Sequence, residues 1–160
     1  MQDVRDCLDG LARVHSVLSS MVRRIPSGRV LERRGEKCWT ILEHVGHLAD
    51  VQPMLHQRIQ RILNEDVPEF VPFLPAEGTY SPNAAGVDVE TALARFDSGR
   101  RKQLEILRSM DPASWDRAAV HPEYTQYGLR ILVRHILMHD YWHMYRIEEL
   151  WLSKDEFLSF

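Results

Sequence analysis

Eight histidines stand among 160 residues, and their spacing is the main chemical signal in this sequence. Histidine is the commonest transition-metal ligand and titrates near neutrality. His139 and His143 are one helical turn apart, so their rings project from one face of a helix. Two imidazoles so placed can supply two ligands to one ion. Leu129, Leu132, Ile136, Ile147 and Leu150 form the apolar stripe of the same segment. On a helical wheel its mean direction passes between His139 and His143, so both rings face a core. Neutral imidazoles buried without partners are costly. A shared metal removes that cost, and hydrogen bonding to other core side chains is the alternative. His135 belongs to the same series but lies about 75° off the stripe centre, a boundary position next to the site.

A third ligand has to come from another helix, and His44 and His47 are both available. The Leu48–Leu55 stripe lies nearer His44, and periodicity leaves the choice open. His121, before Pro122, is a loop residue close to the last helix and a candidate neighbour of the site. Asp50, one turn after His47, could orient a ligand or act as a base; a surface carboxylate is the plainer role. Arg146 projects on the His143 side and could hold an anionic substrate group or form an ion pair. Trp39 and Trp142 could line a pocket or fill the core. His15 and His56 need no special role.

The elements that must carry these residues are helical. Val4, Leu8, Leu11, Leu18, Val22 and Ile25 recur at helical steps until Pro26-Ser27-Gly28. A second helix opens on Thr40-Ile41-Leu42-Glu43, a capping-box pattern, and continues to about Leu63 with a kink expected at Pro53. A third begins after the N-cap Asp88 and ends at Asp111-Pro112; a fourth runs from about Gly128 to about Leu152. No strand is expected, because period-2 alternation is missing. Four long helices imply an all-α four-helix bundle in a single domain, 1–160. The connections 64–87 and 111–127 are long for a bundle, and the first, with Phe70, Phe73, Leu74 and Tyr80, is expected to pack down, either over a bundle end or a site or as a simple crossover connection.

Composition sets the class of partner. The chain is 44% apolar and 27% charged, with 20 basic and 23 acidic residues and a net charge of −3. A nucleic-acid or membrane-surface binder needs a strong positive field, so a small-molecule substrate is expected. Arg23, Arg24, Arg29, Arg33 and Arg34 read as a solvated face. Two cysteines, Cys7 and Cys38, suit a reducing compartment, and with no targeting segment visible the expected location is cytoplasmic. Cys38 lies about three helical turns before His47, too far to share its ion. A homodimer is expected, though the sequence does not derive it: apolar residues in the tail, Leu150-Trp151-Leu152 and Phe157-Leu158-Ser159-Phe160, call for covering by the first long connection or by a second subunit.

Three segments resemble the DinB-like superfamily. Trp39-Thr40-Ile41-Leu42-Glu43-His44-Val45-Gly46-His47-Leu48-Ala49-Asp50 resembles the opening of that superfamily's second helix. His139-Asp140-Tyr141-Trp142-His143-Met144-Tyr145-Arg146-Ile147 resembles its last helix, and His121-Pro122 with Gly128-Leu129 the loop before it. The order and the length also agree, so the resemblance covers nearly the whole chain. It implies an up-up-down-down four-helix bundle holding one divalent metal on His47, His139 and His143. Zn²⁺ is the first expectation, with Ni²⁺ and Fe²⁺ compatible. It also implies a metal-dependent enzyme, such as an S-transferase using a low-molecular-weight thiol. Three imidazoles leave a coordination position open, so activation of water in a hydrolase is equally consistent chemistry. The alternative from a different class is a non-catalytic metal- or ligand-binding bundle.

Overall fold

The computed structural model of the chain describes residues 2–36, 38–72 and 88–158. Local sequence signals set most element ends. Helix α1, Gln2–Val22, buries Val4, Leu11, Val14, Leu18 and Val22 on one face. It stops a turn earlier than Ile25, and a short helix α2, Ser27–Val30, follows Pro26. Helix α3, Ile41–Asp50, begins at the capping box: the Glu43 N–H donates to Thr40 Oγ1 at 3.1 Å, and the Thr40 N–H donates to the Glu43 carboxylate at 2.6 Å. The expected kink is a break at Val51, after which α4, Gln52–Asn64, restarts. Pro53 sits in the first turn of α4, where a missing N–H costs nothing. Helix α5, Val89–Ser109, is capped by Asp88, whose Oδ1 accepts from the Thr91 N–H at 2.7 Å. Helix α6 is Leu129–Leu152.

Counting α3 and α4 as one broken helix, the chain forms an all-α, up-up-down-down four-helix bundle. α1 packs on α5 and α6, and α3 packs on the same two, so the first and second long helices face each other across a diagonal. Two arginines close helix ends whose last carbonyls have no partners within the helix. Arg34 donates to the carbonyls of Leu150 at 2.8 Å and Ser153 at 2.7 Å, fastening the α2–α3 connection to the end of α6. Its side chain is only 3% exposed, so Arg34 departs from the expected solvated arginine face. Arg117 does the same for α4, donating to the carbonyls of Ile62 at 2.5 Å and Glu65 at 2.6 Å.

The core has two apolar halves. One gathers Leu11, Leu55, Ile59, Leu104, Leu132 and Ile136; the other gathers Leu18, Val45, Leu48, Phe96, Ile147 and Leu150. Between them on α3–α6 lie buried polar residues, His44, His47, Gln52, Arg100, Gln103, Asp140 and His143. The functional residues therefore occupy a layer inside the bundle.

The absence of strands was too strong an expectation. Ala118–Ala119 (β1) pairs antiparallel with Tyr127–Gly128 (β2), and Glu69 bridges to Val120. A two-residue pair is too short to leave a period in the sequence. Gly128 belongs there for a steric reason: a Cβ would lie 2.5 Å from the Arg117 carbonyl oxygen. Gly128→Ala is expected to cost about 1–3 kcal/mol, read as a lowered melting temperature. Phe70 packs beside Tyr127 with centroids 6.1 Å apart, as the expected docking of the first connection requires. Phe73, Leu74, Tyr80, Ser159 and Phe160 lie outside the described residues. Among the described residues, no helix is long and apolar enough to cross a membrane.

Candidate metal centre

The broken second helix and α6 bring three imidazoles to one point. His47 Nε2 lies 3.1 Å from His139 Nε2, which lies 3.1 Å from His143 Nε2. His47, His139 and His143 are the residues, among those described, whose donor atoms converge closely enough to hold a metal ion. A tetrahedral ion at 2.0–2.1 Å from each nitrogen would set neighbouring nitrogens about 3.3 Å apart, close to both 3.1 Å separations. Hydrogen bonding alone fits them poorly. A single proton on His139 Nε2 cannot point at both neighbours, and His139 Nδ1 makes no hydrogen bond among the described residues.

The choice left open between His44 and His47 resolves into two roles. Both are buried, but His44 reaches His143 from behind: the two Nδ1 atoms are 2.8 Å apart. If His143 offers Nε2 to an ion, its proton sits on Nδ1 and donates to His44 Nδ1. His44 would then fix the tautomer and tilt of the His143 ring, a recurring function of residues behind a metal site. Trp39 closes the other side, with its ring centroid 5.1 Å from those of His44 and His47 and 5.8 Å from that of His143. Trp142 stands edge-on to His143 at 4.7 Å.

Burial keeps these imidazoles neutral. It holds His47 and His139 down to about 4 and His44 to about 3, from an ordinary 6.5, and pushes His143 lower still. Nearby positive charge adds to the effect, from Arg146 on His44 and Arg100 on His139, while Asp50 opposes it on His47. The sign for metal binding follows. Protons compete with an ion only as the pH falls to the ligands' own folded-state values. Three ordinary imidazoles would lose affinity by roughly a thousandfold per pH unit below 6.5. Here zinc affinity is expected to change by less than about tenfold between pH 7 and 5 and to collapse only near pH 4. A competition titration against a chromophoric chelator across that range measures it.

The other expected neighbours scatter. Asp50 pairs with Arg95 at 2.5 Å and is not among the residues lining the pocket described below. Arg146 pairs with Glu149 within its own helix. His135 and His121 line the same cavity as the triad, in an aromatic group with Tyr124 and Tyr127 whose centroids are 4.9–6.1 Å apart. His121 Nδ1 accepts from the Glu123 N–H at 3.3 Å. His15 faces Asp97 at 3.4 Å, and Cys7 and Cys38 are free thiols.

Sequence reasoning missed a buried ion pair beside the triad. Arg100 Nη2 on α5 lies 2.7 Å from Asp140 Oδ2 on α6, with the side chains 2% and 0% exposed. Asp140 directly follows His139 in the sequence and points away from it, into the neighbouring helix. Burial pushes its carboxyl up to about 7 while Arg100 pulls the other way. Gln103 Nε2 donates to Gln52 Oε1 at 3.0 Å in the same layer. No spacing signal could have found the pair, because its members lie on different helices.

A cavity of about 700 Å³ opens from the three histidines between α3, α4 and α6. Val51, Leu55, Leu132 and Ile136 form its apolar wall, and Trp39 and Trp142 line it beside the histidines. The segment 111–127 supplies His121, Glu123, Tyr124 and Tyr127 to the far side, so the second long connection builds part of the pocket. That volume and lining suit a small organic ligand.

Comparison with known proteins agrees with this architecture. A search of the curated proteins finds no match. Among solved structures the chain is similar to YfiT from Bacillus subtilis, described as a probable metal-dependent hydrolase with an unusual four-helix bundle topology. The two superpose with a TM-score of 0.80 at 20% identity, covering 92% of this chain and 85% of the other. Residues 10–147 match the DinB superfamily, and the chain belongs to that superfamily.

Proposed function

We propose that the chain is a metal-dependent enzyme acting on a small organic molecule, with His47, His139 and His143 holding one divalent ion, Zn²⁺ in the first instance. The observation that carries this reading is the convergence of three Nε2 atoms that also line an apolar cavity. A structural zinc site is closed by four protein ligands, whereas three leave a position for a reactant. An ion bound there supplies Lewis acidity, lowering the pKa of a bound water or thiol so that it attacks at neutral pH. The protein's own part is positional. His44 holds the His143 ring, burial keeps the imidazoles unprotonated, and Trp39 packs against them.

A low-molecular-weight thiol is the proposed second reactant, which makes the reaction an S-transfer to an electrophilic substrate. The description of the similar Bacillus protein favours hydrolysis as a second reading. Zinc-loaded protein assayed with an alkylating electrophile, with and without bacillithiol-, mycothiol- or glutathione-type thiols, separates the two. Thiol-dependent turnover that falls more than about a hundredfold in His47→Ala supports S-transfer. Thiol-independent ester cleavage with the same dependence on His47 supports the hydrolase. Zinc binding without turnover in either assay leaves a binding protein.

A further inference from the structure

The cavity carries one feature that metal chemistry does not use. Arg58, on α4 about three helical turns beyond His47 (roughly 16 Å of rise), also lines it. Arg58 is half-buried, and among the described residues no carboxylate pairs with it, in a chain where most neighbouring arginines have one. Its position is fixed nonetheless. Arg58 Nη2 donates to the Val71 carbonyl at 2.9 Å, and its guanidinium lies over the Phe70 ring at 5.4 Å. Phe70 in turn stands edge-on to Tyr127, and Arg58 also acts on the Tyr127 phenol. A fixed guanidinium beside a phenol, at the end of an apolar cavity, is a receptor for one planar anion. Glu123 also lines this end, but it is exposed and stands beside His121, 3.9 Å from Nδ1.

We propose that Arg58 and Tyr127 hold the anionic end of the substrate, a compact carboxylate with an apolar, preferably aromatic, body whose reactive end lies at the three histidines. This deepens the small-molecule reading above and rests on this cavity being the substrate site. The body is apolar because Val51, Leu55, Leu132 and Ile136 form the wall between the two ends. It is flat because Tyr124 and Tyr127, stacked at 5.5 Å and 26°, line the far side. The anion is a carboxylate because one arginine and one phenol match its two oxygens, whereas a phosphate dianion in so apolar a site would need more donors.

The test compares two near-isosteric probes, 4-phenylbutyrate and 4-phenylbutanamide, by calorimetric titration of the wild-type protein, Arg58→Gln, Tyr127→Phe and His47→Ala. The wild-type protein is expected to bind the carboxylate on the order of tenfold more tightly than the amide. Arg58→Gln removes that preference, and Tyr127→Phe reduces it. His47→Ala retains it, because the anion site is at the other end of the cavity. Probes that bind within twofold of each other, or not at all, overturn the assignment. So does a preference that survives Arg58→Gln but vanishes in His47→Ala, since the carboxylate then sits on the metal. Melting curves confirm that each variant is folded. Zinc content is measured separately: a chain that binds no zinc yet shows the Arg58-dependent preference sinks the metal reading and leaves this one standing.

Discussion

Adding zinc to metal-free protein raises its melting temperature by about 10 °C at a thousandfold excess over Kd, and His139→Ala abolishes the rise. The magnitude follows from linkage. A ligand that binds only the folded state at that excess contributes about 4 kcal/mol, and for a domain of this size 1 kcal/mol moves the midpoint by about 2–4 °C. The same substitution has little effect on the metal-free protein. Without metal, His139→Ala is expected to melt within about 2 °C of the wild type, unlike an ordinary buried large-to-small replacement, which costs several kcal/mol. His139 Nε2 meets two other imidazole nitrogens at 3.1 Å and can satisfy only one with its proton. Losing packing and losing that conflict nearly cancel. Calorimetry of both proteins, with chelator and with zinc, checks the four midpoints. If the metal-free variant melts far below the metal-free wild type while zinc shifts neither, the three histidines are core residues that bond to one another.

Asp140→Asn is expected to cost 3–5 kcal/mol, a fall of about 10 °C, while leaving one zinc per chain. The replacement is nearly isosteric, so packing is not the cause. It removes the charge facing Arg100, whose side chain is 2% exposed and whose Nε and Nη1 have no hydrogen-bond partner among the described residues. An uncompensated buried cation is the expensive outcome. The double variant Arg100→Met/Asp140→Leu should recover most of the loss, to within about 1 kcal/mol of wild type, since an apolar pair of similar volume needs no desolvation. Failure of the double variant to recover, with Arg100→Met alone nearly neutral, would show that the pair is not the source of the loss.

The parts of this protein that were legible in its sequence are those governed by local rules. Thr40 and Glu43 lie within one turn, so their reciprocal bonds are a property of a few residues, and they form as the spacing predicts. The orientation of His139 and His143 into the bundle follows from the apolar stripe around them. The wheel fails where two residues sit about 60° apart on one face: His44 and His47 both point inward and both reach His143, one from behind and one at the Nε2 triangle. Family resemblance pointed to His47 where periodicity leaned to His44. Arg100 and Asp140 were illegible for a different reason. A charged residue in a helix reads as solvated unless its partner is known, and that partner lies on another helix. The pocket was illegible because the far part of its wall, His121, Glu123, Tyr124 and Tyr127, lies off the long helices and includes a strand pair too short for any period.

The arginines placed around the site set what it will attract. Glu43, Asp50, Asp140 and Glu149 stand on the two helices that carry the histidines, and each is engaged by an arginine. No carboxylate or thiolate belongs to the histidine triad itself. A divalent ion on three neutral imidazoles would keep both positive charges, beside four carboxylates that arginines already hold. Electroneutrality has to arrive from solution. Azide, cyanate and thiolates should thus outcompete neutral ligands of the same size, which makes simple monovalent anions the natural first inhibitors of this protein.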